Sequence, residues 1–177
     1  TSGNWLDPAN WAGGAVPDLA NVSRVIIPAN VNVNFSSTAV APAQSGPVYV
    51  DSVSASANST PGSLSLRSGN LVVGEGGLNL ASLTHSGGNL SSAGKLNVTQ
   101  AFSQTNSGSL DVAGDVTIAH QAGALTLGNL KVGQHLTVIN STFANNTAGD
   151  SGSGAIAIAG KVSLKGSLFA DNTPGHC

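Results

Sequence analysis

The sequence is short of charge, of cysteine and of long apolar runs. Charged residues make up 8% of its 177 residues, against roughly 25% in an ordinary soluble domain. Six basic and eight acidic residues give a net charge of −2, and no basic cluster is present, so no nucleic-acid partner is expected. The single cysteine, Cys177, excludes an intrachain disulfide. No apolar run approaches the ~20 residues of a membrane-spanning helix, so membrane insertion is not expected.

Small residues take the place of the missing charges. The chain contains 23 glycines and is also rich in serine, threonine, asparagine and alanine. Flat sheets need small polar side chains on their outer faces, and tight corners need residues that tolerate a positive φ. The composition is therefore typical of a β-solenoid.

A short phrase recurs between Gly77 and Leu164. Each copy has a glycine shortly before an apolar-polar-apolar triplet, which predicts a strand with one buried face. The first copies are about 18 to 20 residues apart, the length of one solenoid coil. We expect the triplets to stack as one sheet, at residues 78–80, 96–98, 116–118, 136–138 and 162–164. Their inward side chains should form two ladders: Leu78, Leu96, Val116, Leu136 and Val162, and Leu80, Val98, Ile118, Val138 and Leu164.

Two further sets of apolar positions recur with the triplets. One set precedes each triplet, and a looser set follows it. The members of the first are Leu90, Leu110–Val112, Leu130–Val132 and Ile156–Ile158. The members of the second are Leu83, Phe102 and Phe143. Three strands in each coil of about 20 residues predict an all-β fold, a three-sided parallel β-helix.

The chain is expected to form one continuous domain. Residues 1–35 form an N-terminal capping segment with the first strands, and residues 36–177 form the repeats. Loop insertions are predicted near 36–62 and 140–154. The repeat is still running at Phe169 without an atypical capping coil after it, which favours a fragment of a longer protein.

Both tryptophans of the chain, Trp5 and Trp11, precede the first predicted strands. Large aromatic side chains at that position can cover the open end of a β-helix core. Alternatively, they form a platform for sugar rings, because indole stacks well on pyranose faces. The sequence favours the cap and leaves the sugar contact open.

The opening segment resembles a known bacterial family. The pattern Asn-Trp…Asn-Trp-x-Gly-Gly-x-Val-Pro, followed by Val-Ile-Ile-Pro-x-x-Val-x-Val, is similar to a segment of filamentous-haemagglutinin-like adhesins of two-partner secretion systems. The chain lacks the Asn-Pro-Asn motifs of their export domain, so it resembles an internal passenger segment. The matching residues are Trp5, Trp11, Gly13, Gly14, Val16, Pro17, Val25, Ile26, Ile27, Val31 and Val33.

This resemblance implies a right-handed β-helix, in agreement with the prevalence of right-handed parallel crossovers. A weaker echo, Ser141–Ala148 repeated at Ser167–Thr173, is similar to the Phe-x-x-Asn repeats of autotransporter passengers, which are also β-helices. The resemblance further implies a secreted protein at the bacterial cell surface. Its expected partners are a surface glycan or protein of the host or of other bacteria, a biofilm polysaccharide, the rest of the parent exoprotein, and an outer-membrane transporter during export.

The sequence offers little for catalysis. Asp111 and Asp115 are the only carboxylates close in sequence; they flank a predicted corner and are candidates for sugar contact, although the sequence favours plain outward positions beside a turn. The histidines lack metal-ligand spacing, and we expect solvated or corner positions for them: His85, His120, His135 and His176. No catalytic residue, metal or cofactor is predicted.

Two functions remain. The first is a non-catalytic structural and binding module of a surface adhesin, which attaches to host cells, other bacteria or biofilm matrix. The second is a carbohydrate-active β-helix, either a polysaccharide lyase or a glycoside hydrolase, or a sugar-binding module, motivated by fold analogy alone.

Overall fold

The computed structural model describes residues 2–37, 46–55, 62–105, 107–121, 125, 127–144 and 161–170. Within these ranges the chain forms fifteen strands and one short 3-10 helix, Pro8–Asn10. The strands are β1 (Gly3–Asn4), β2 (Arg24–Ile27), β3 (Asn32–Ser36), β4 (Val48–Ala55), β5 (Ser63–Ser68), β6 (Asn70–His85), β7 (Gly88–Ser92), β8 (Leu96–Gln104), β9 (Gly108–Val112), β10 (Val116–Ala119), β11 (Asn129–Val132), β12 (Leu136–Ile139), β13 (Thr142–Ala144), β14 (Val162–Lys165) and β15 (Leu168–Ala170).

Neighbouring strands are parallel. Thirteen of them form one sheet along the path β1-β3-β5-β6-β8-β10-β12-β14, with the others branching from it. In the described part of the chain this path does not return to its start, so the sheet is open. The remaining two strands, β13 and β15, pair with each other.

The predicted stack of triplets is confirmed by the strand register. Each apolar triplet pairs directly with the next, so equivalent residues lie side by side. We call this column ladder I, and its first positions are Val25, Val53, Leu78, Leu96, Val116, Leu136 and Val162. It begins two strands earlier than the sequence predicts, since irregular connections separate Val25, Val53 and Leu78.

Two more columns run beside ladder I. Ladder II has first positions Val48, Leu71, Leu90, Leu110 and Leu130. Ladder III has first positions Val33, Leu64, Leu83 and Phe102. The predicted pairings of Leu90 with Leu110 and of Leu83 with Phe102 are thereby confirmed.

Some predicted elements fall elsewhere. Phe143 was expected to continue the set of Leu83 and Phe102, but it pairs with Phe169 in the separate two-stranded sheet. Residues 38–45, 56–61 and 145–160 lie outside the described residues, and with them most of the two predicted insertions and the strand at Ile156–Ile158.

The inward residues of the ladders form one apolar core. Strand alternation places every second side chain inside, and the ladder I residues from Val25 to Leu136 are all buried. The core prediction is wrong at Val162 and Leu164, which keep their register but are 42% and 38% exposed. The reason is position: β14 is the last strand of ladder I, and no described strand pairs with its far side.

Close backbone stacking explains part of the glycine content. Gly88 has a φ of +73°, a conformation that favours glycine. One repeat later in the sequence, Gly108 pairs with Gly88, and a Cβ at Gly108 would lie against the carbonyl oxygen of Gly88. This corner therefore stacks only because both residues lack a side chain.

Candidate functional site

Trp5 is part of the core. Its side chain is fully buried, its ring lies 5.8 Å from that of Phe35, and its Nε1–H donates to the carbonyl oxygen of Pro17 over 3.2 Å. Its backbone N–H donates to Asn34, which fixes it beside β3. The indole therefore has both its apolar surface and its polar atom satisfied inside the protein.

Trp11 packs on Trp5 but stays half-exposed. Its ring meets Trp5 edge to face, with centroids 5.1 Å apart and planes at 66°. Its Nε1–H donates to the carbonyl oxygen of Trp5 over 2.6 Å. Both tryptophans thus pack against the core, as predicted, yet only Trp11 keeps surface available for a ligand.

Trp11 forms one wall of a groove beside β2. We call it the β2 groove, a cavity of about 340 Å³ lined mainly by Trp11, Pro17, Asn21, Val22, Arg24 and Ile26. The alternation of β2 turns Val25 and Ile27 into the core and turns Arg24 and Ile26 outward. Ile26 is 57% exposed, whereas the residues in register with it on the following strands are polar: Ser54, Asn79 and Asn97.

The β2 groove continues into an open depression with polar walls. This depression, of about 740 Å³, shares Arg24 and Ile26 with the groove and adds Asp51 and Ser52. Asp51 accepts a weak hydrogen bond of 3.4 Å from the Gly76 N–H through Oδ1. Arg24 is exposed and forms no ion pair with any described residue.

The loop that forms the outer wall of the groove is held by its own hydrogen bonds. Asn21 donates from Nδ2 to the carbonyl oxygen of Val16 over 2.7 Å and accepts from the Asp18 N–H over 3.1 Å. Asp18 in turn accepts from the Ala20 N–H over 2.8 Å. The amide of Asn21 is therefore occupied with shaping the wall.

The two candidate aspartates, Asp111 and Asp115, stand in different surroundings. Asp111 lies exposed on β9, in register with Ser91 and Lys131. Asp115 lies after the corner, and its Oδ1 accepts from Nδ1 of His135 over 2.9 Å. This hydrogen bond is the main cause that holds the pKa of Asp115 below its ordinary value. The structure gives no contact between the two carboxylates.

Of the histidines expected at solvated or corner positions, His135 is exposed, His120 is buried directly after the end of β10, and His85 is buried within β6. His85 is completely buried at an inward position of ladder III, next to Leu66 and Gln104. His120 is 8% exposed and accepts the Phe102 N–H at Nδ1. The alternation of inward and outward side chains along β6 continues to His85. Its inward position therefore buries the ring although the ring is polar. The fourth, His176, lies outside the described residues.

Burial lowers the pKa of His85, although its hydrogen bond to the carbonyl oxygen of Gly88 opposes the shift. Since a carbonyl only accepts, Nε2 carries the proton in this bond. The other nitrogen, Nδ1, has no hydrogen-bond partner among the described residues.

The comparisons with known proteins identify no relative. No protein-family model matches the chain, and no curated protein or solved structure is significantly similar to it. The resemblance to two-partner-secretion adhesins therefore stays a prediction.

The described residues hold neither a metal-binding cluster nor a membrane-spanning helix. No group of three His, Cys, Asp or Glu side chains there could hold a metal ion. The same residues include no helix of the length and apolarity that crossing a membrane requires.

Sequence reasoning found Trp11 but missed its groove. Arg24 and Asp51 are 27 positions apart, and only the pairing of β2 with β4 brings Arg24 beside Ser52. The available signal was Ile26, an apolar residue between two other apolar residues where alternation predicts a polar one.

Proposed function

We propose that this chain is a right-handed, three-sided parallel β-helix that serves as a non-catalytic binding module of a secreted bacterial surface adhesin. The observation that carries the fold is the order of the ladders. From Leu71 to Val116 the chain visits ladders II, I and III, then repeats the same cycle. A chain that passes three parallel columns in constant cyclic order winds as a coil. Right-handed winding follows from the usual hand of parallel crossovers.

Trp5 supports the assignment of residues 1–35 as the cap of this coil. It lies beside β1, the first strand of the sheet path, and covers Phe35 at the end of the core. Without that cover, the apolar end of the stack would be exposed to water.

The outer face supports a structural and binding role. Asn79 accepts from the side chain of Asn97 over 2.8 Å, and Asn70 accepts from that of Asn89 over 2.9 Å. Such stacks satisfy the outward polar groups coil by coil and give a long polar surface. An elongated surface of this kind suits adhesion, with affinity spread over several contacts.

The carbohydrate-active alternative has less support. A general acid needs a raised pKa and a second carboxylate about 5 to 9.5 Å away. The hydrogen bond from His135 lowers the pKa of Asp115 instead. Exposure of both Asp111 and Asp115 also removes the enclosed site that catalysis favours.

Adhesion of protein-coated beads tests the proposed function. Beads that carry the purified chain are incubated with host epithelial cells, with bacteria and with biofilm polysaccharide, and beads coated with the Leu96→Asp variant serve as the misfolded control. We expect saturable attachment to at least one surface, competed by soluble protein. Attachment equal to the control on all three surfaces contradicts the proposal. Release of sugar products from the polysaccharide favours the enzyme.

A further inference from the structure

We propose that the β2 groove and the depression that continues it together bind one hexose unit of a neutral glycan, with Trp11 and Ile26 against the apolar side of the sugar ring and Arg24 and Asp51 on its hydroxyl groups. The proposal rests on the proposed function, because it assigns a ligand class and a location to the binding module.

The apolar part of the groove suits the C–H face of a pyranose. Trp11 is half-buried and fixed by its hydrogen bond to Trp5, so its ring is held in place before any ligand arrives. Ile26 adds exposed apolar surface beside it. Rigid aromatic surface of this kind binds at little cost in conformational entropy.

The polar part supplies what sugar hydroxyl groups need. The Arg24 guanidinium is a planar array of donors with no ion-pair partner among the described residues. The Asp51 carboxylate lines the same depression, and the one hydrogen bond that it accepts from a described residue is weak. A hydroxyl group both donates and accepts, so one donor array and one acceptor can hold two neighbouring hydroxyl groups.

The balance of charge favours a neutral sugar. One cation and one anion line the depression, so a uronic acid or sialic acid that approaches Arg24 also meets Asp51. Like charges at short range oppose binding. A neutral hexose uses both groups without that penalty.

An extended peptide is the competing occupant. β2 pairs only with β4, so its far edge is open among the described residues, and open edges can accept an added strand. An added strand directs its backbone groups to the edge of β2, so its apolar side chains would cover Arg24 without offering a hydrogen-bond partner, which is unfavourable. The groove chemistry therefore favours the sugar.

Nuclear magnetic resonance titration tests the proposal on the intact chain. The probes are cellohexaose, mannohexaose and maltohexaose, with hexagalacturonate as the acidic comparison and an apolar strand-forming heptapeptide as the peptide comparison. We expect a neutral hexasaccharide to shift the Trp11 indole N–H and the Ile26 methyl groups, while the indole of buried Trp5 shifts less.

Four variants locate the binding site. Arg24→Gln and Asp51→Asn should each weaken binding about tenfold, since each removes a charge-assisted hydrogen bond. Ile26→Ser should weaken it as well, and because Ile26 is exposed, this change tests the apolar surface without disturbing the core. Trp11→Phe reduces the aromatic area and keeps the contact with Trp5.

The chain offers matched controls. Arg67 is its only other arginine, exposed on β5 and away from the groove, so Arg67→Gln should leave the Kd unchanged. Tyr49 is an exposed aromatic residue on β4, so Tyr49→Ala should also have no effect.

Each remaining outcome overturns the proposal. These outcomes are no shift with any neutral hexasaccharide, tight binding of hexagalacturonate alone, peptide binding along β2, or sugar binding that Arg24→Gln and Ile26→Ser leave unchanged. If the Arg24→Gln protein no longer binds the sugar but beads coated with it still attach to cells, the adhesin proposal stands, and attachment uses another surface of the protein. If attachment fails while the sugar binds, only the adhesin proposal is contradicted.

Discussion

At the scale of single residues, the fold places a titratable ring inside the core. His85 is fully buried between ladder neighbours Leu66 and Gln104, and burial lowers its pKa from the ordinary 6.5. The folded state therefore holds a neutral imidazole where the unfolded chain would bind a proton in mild acid. Acid should destabilise this protein through His85.

The pH dependence of stability tests this role. A lowered pKa in the folded state means that the unfolded state binds more protons, so stability falls as pH drops below about 6.5 toward the folded-state value. His85→Leu matches the apolar character of its neighbour Leu66 and should flatten the dependence of the free energy of unfolding between about pH 7 and about pH 5. Urea titrations at each pH give the measurement. An unchanged slope in the variant would contradict the account.

The stacking of Gly108 on Gly88 gives a second prediction at this scale. Gly108→Ala places a Cβ against the backbone of Gly88, and overpacking of this kind costs about 1 to 3 kcal/mol. Gly46 is the control, since a Cβ there meets nothing within 4 Å. Thermal unfolding should show a lower Tm for Gly108→Ala and no loss for Gly46→Ala. Equal melting temperatures would mean that β7 and β9 do not stack closely at Gly88 and Gly108.

At the scale of elements, the sequence predicted the strands that follow the recurring glycine phrase. Each triplet from Leu78 to Leu164 comes shortly after a glycine, so the phrase and its period-two alternation set both strand type and register, even across the longer interval before Val162. Val25 and Val53 belong to the same ladder, but no glycine of this kind precedes them, so their register has no local signal. The exposure of Val162 could not be predicted from the sequence either, because Val162 has the same local pattern as Val116 and differs only in the strands around it.

That contrast gives a matched pair of variants. Val116 and Val162 occupy equivalent positions of ladder I, but Val116 is fully buried and Val162 is 42% exposed. Val116→Ala should cost about 2 kcal/mol from lost burial and a cavity, which lowers the Tm by about 4 to 8 °C. Val162→Ala should cost clearly less. Urea or thermal unfolding measures both, and equal losses would contradict the assigned burial.

At the scale of the whole molecule, the account depends on three ladders visited in cyclic order. The candidate binding site follows from it, because the pairing of β2 with β4 brings Arg24 next to the strand that carries Asp51. Trp11 was predictable as a surface candidate from its type and position. Arg24 and Asp51 were not predictable as its partners, because only the pairing of β2 with β4 brings their strands together.

Methyl nuclear Overhauser effects test the stacking most directly. In-register parallel strands lie about 4.8 Å apart, so inward methyl groups of equivalent residues come into contact. With Leu, Val and Ile methyl groups labelled, the account predicts two continuous chains of cross-peaks, Leu78-Leu96-Val116-Leu136 and Leu80-Val98-Ile118-Val138. Cross-peaks that instead join Leu96 to Ile118, or that are missing between successive copies, would contradict the parallel in-register stack.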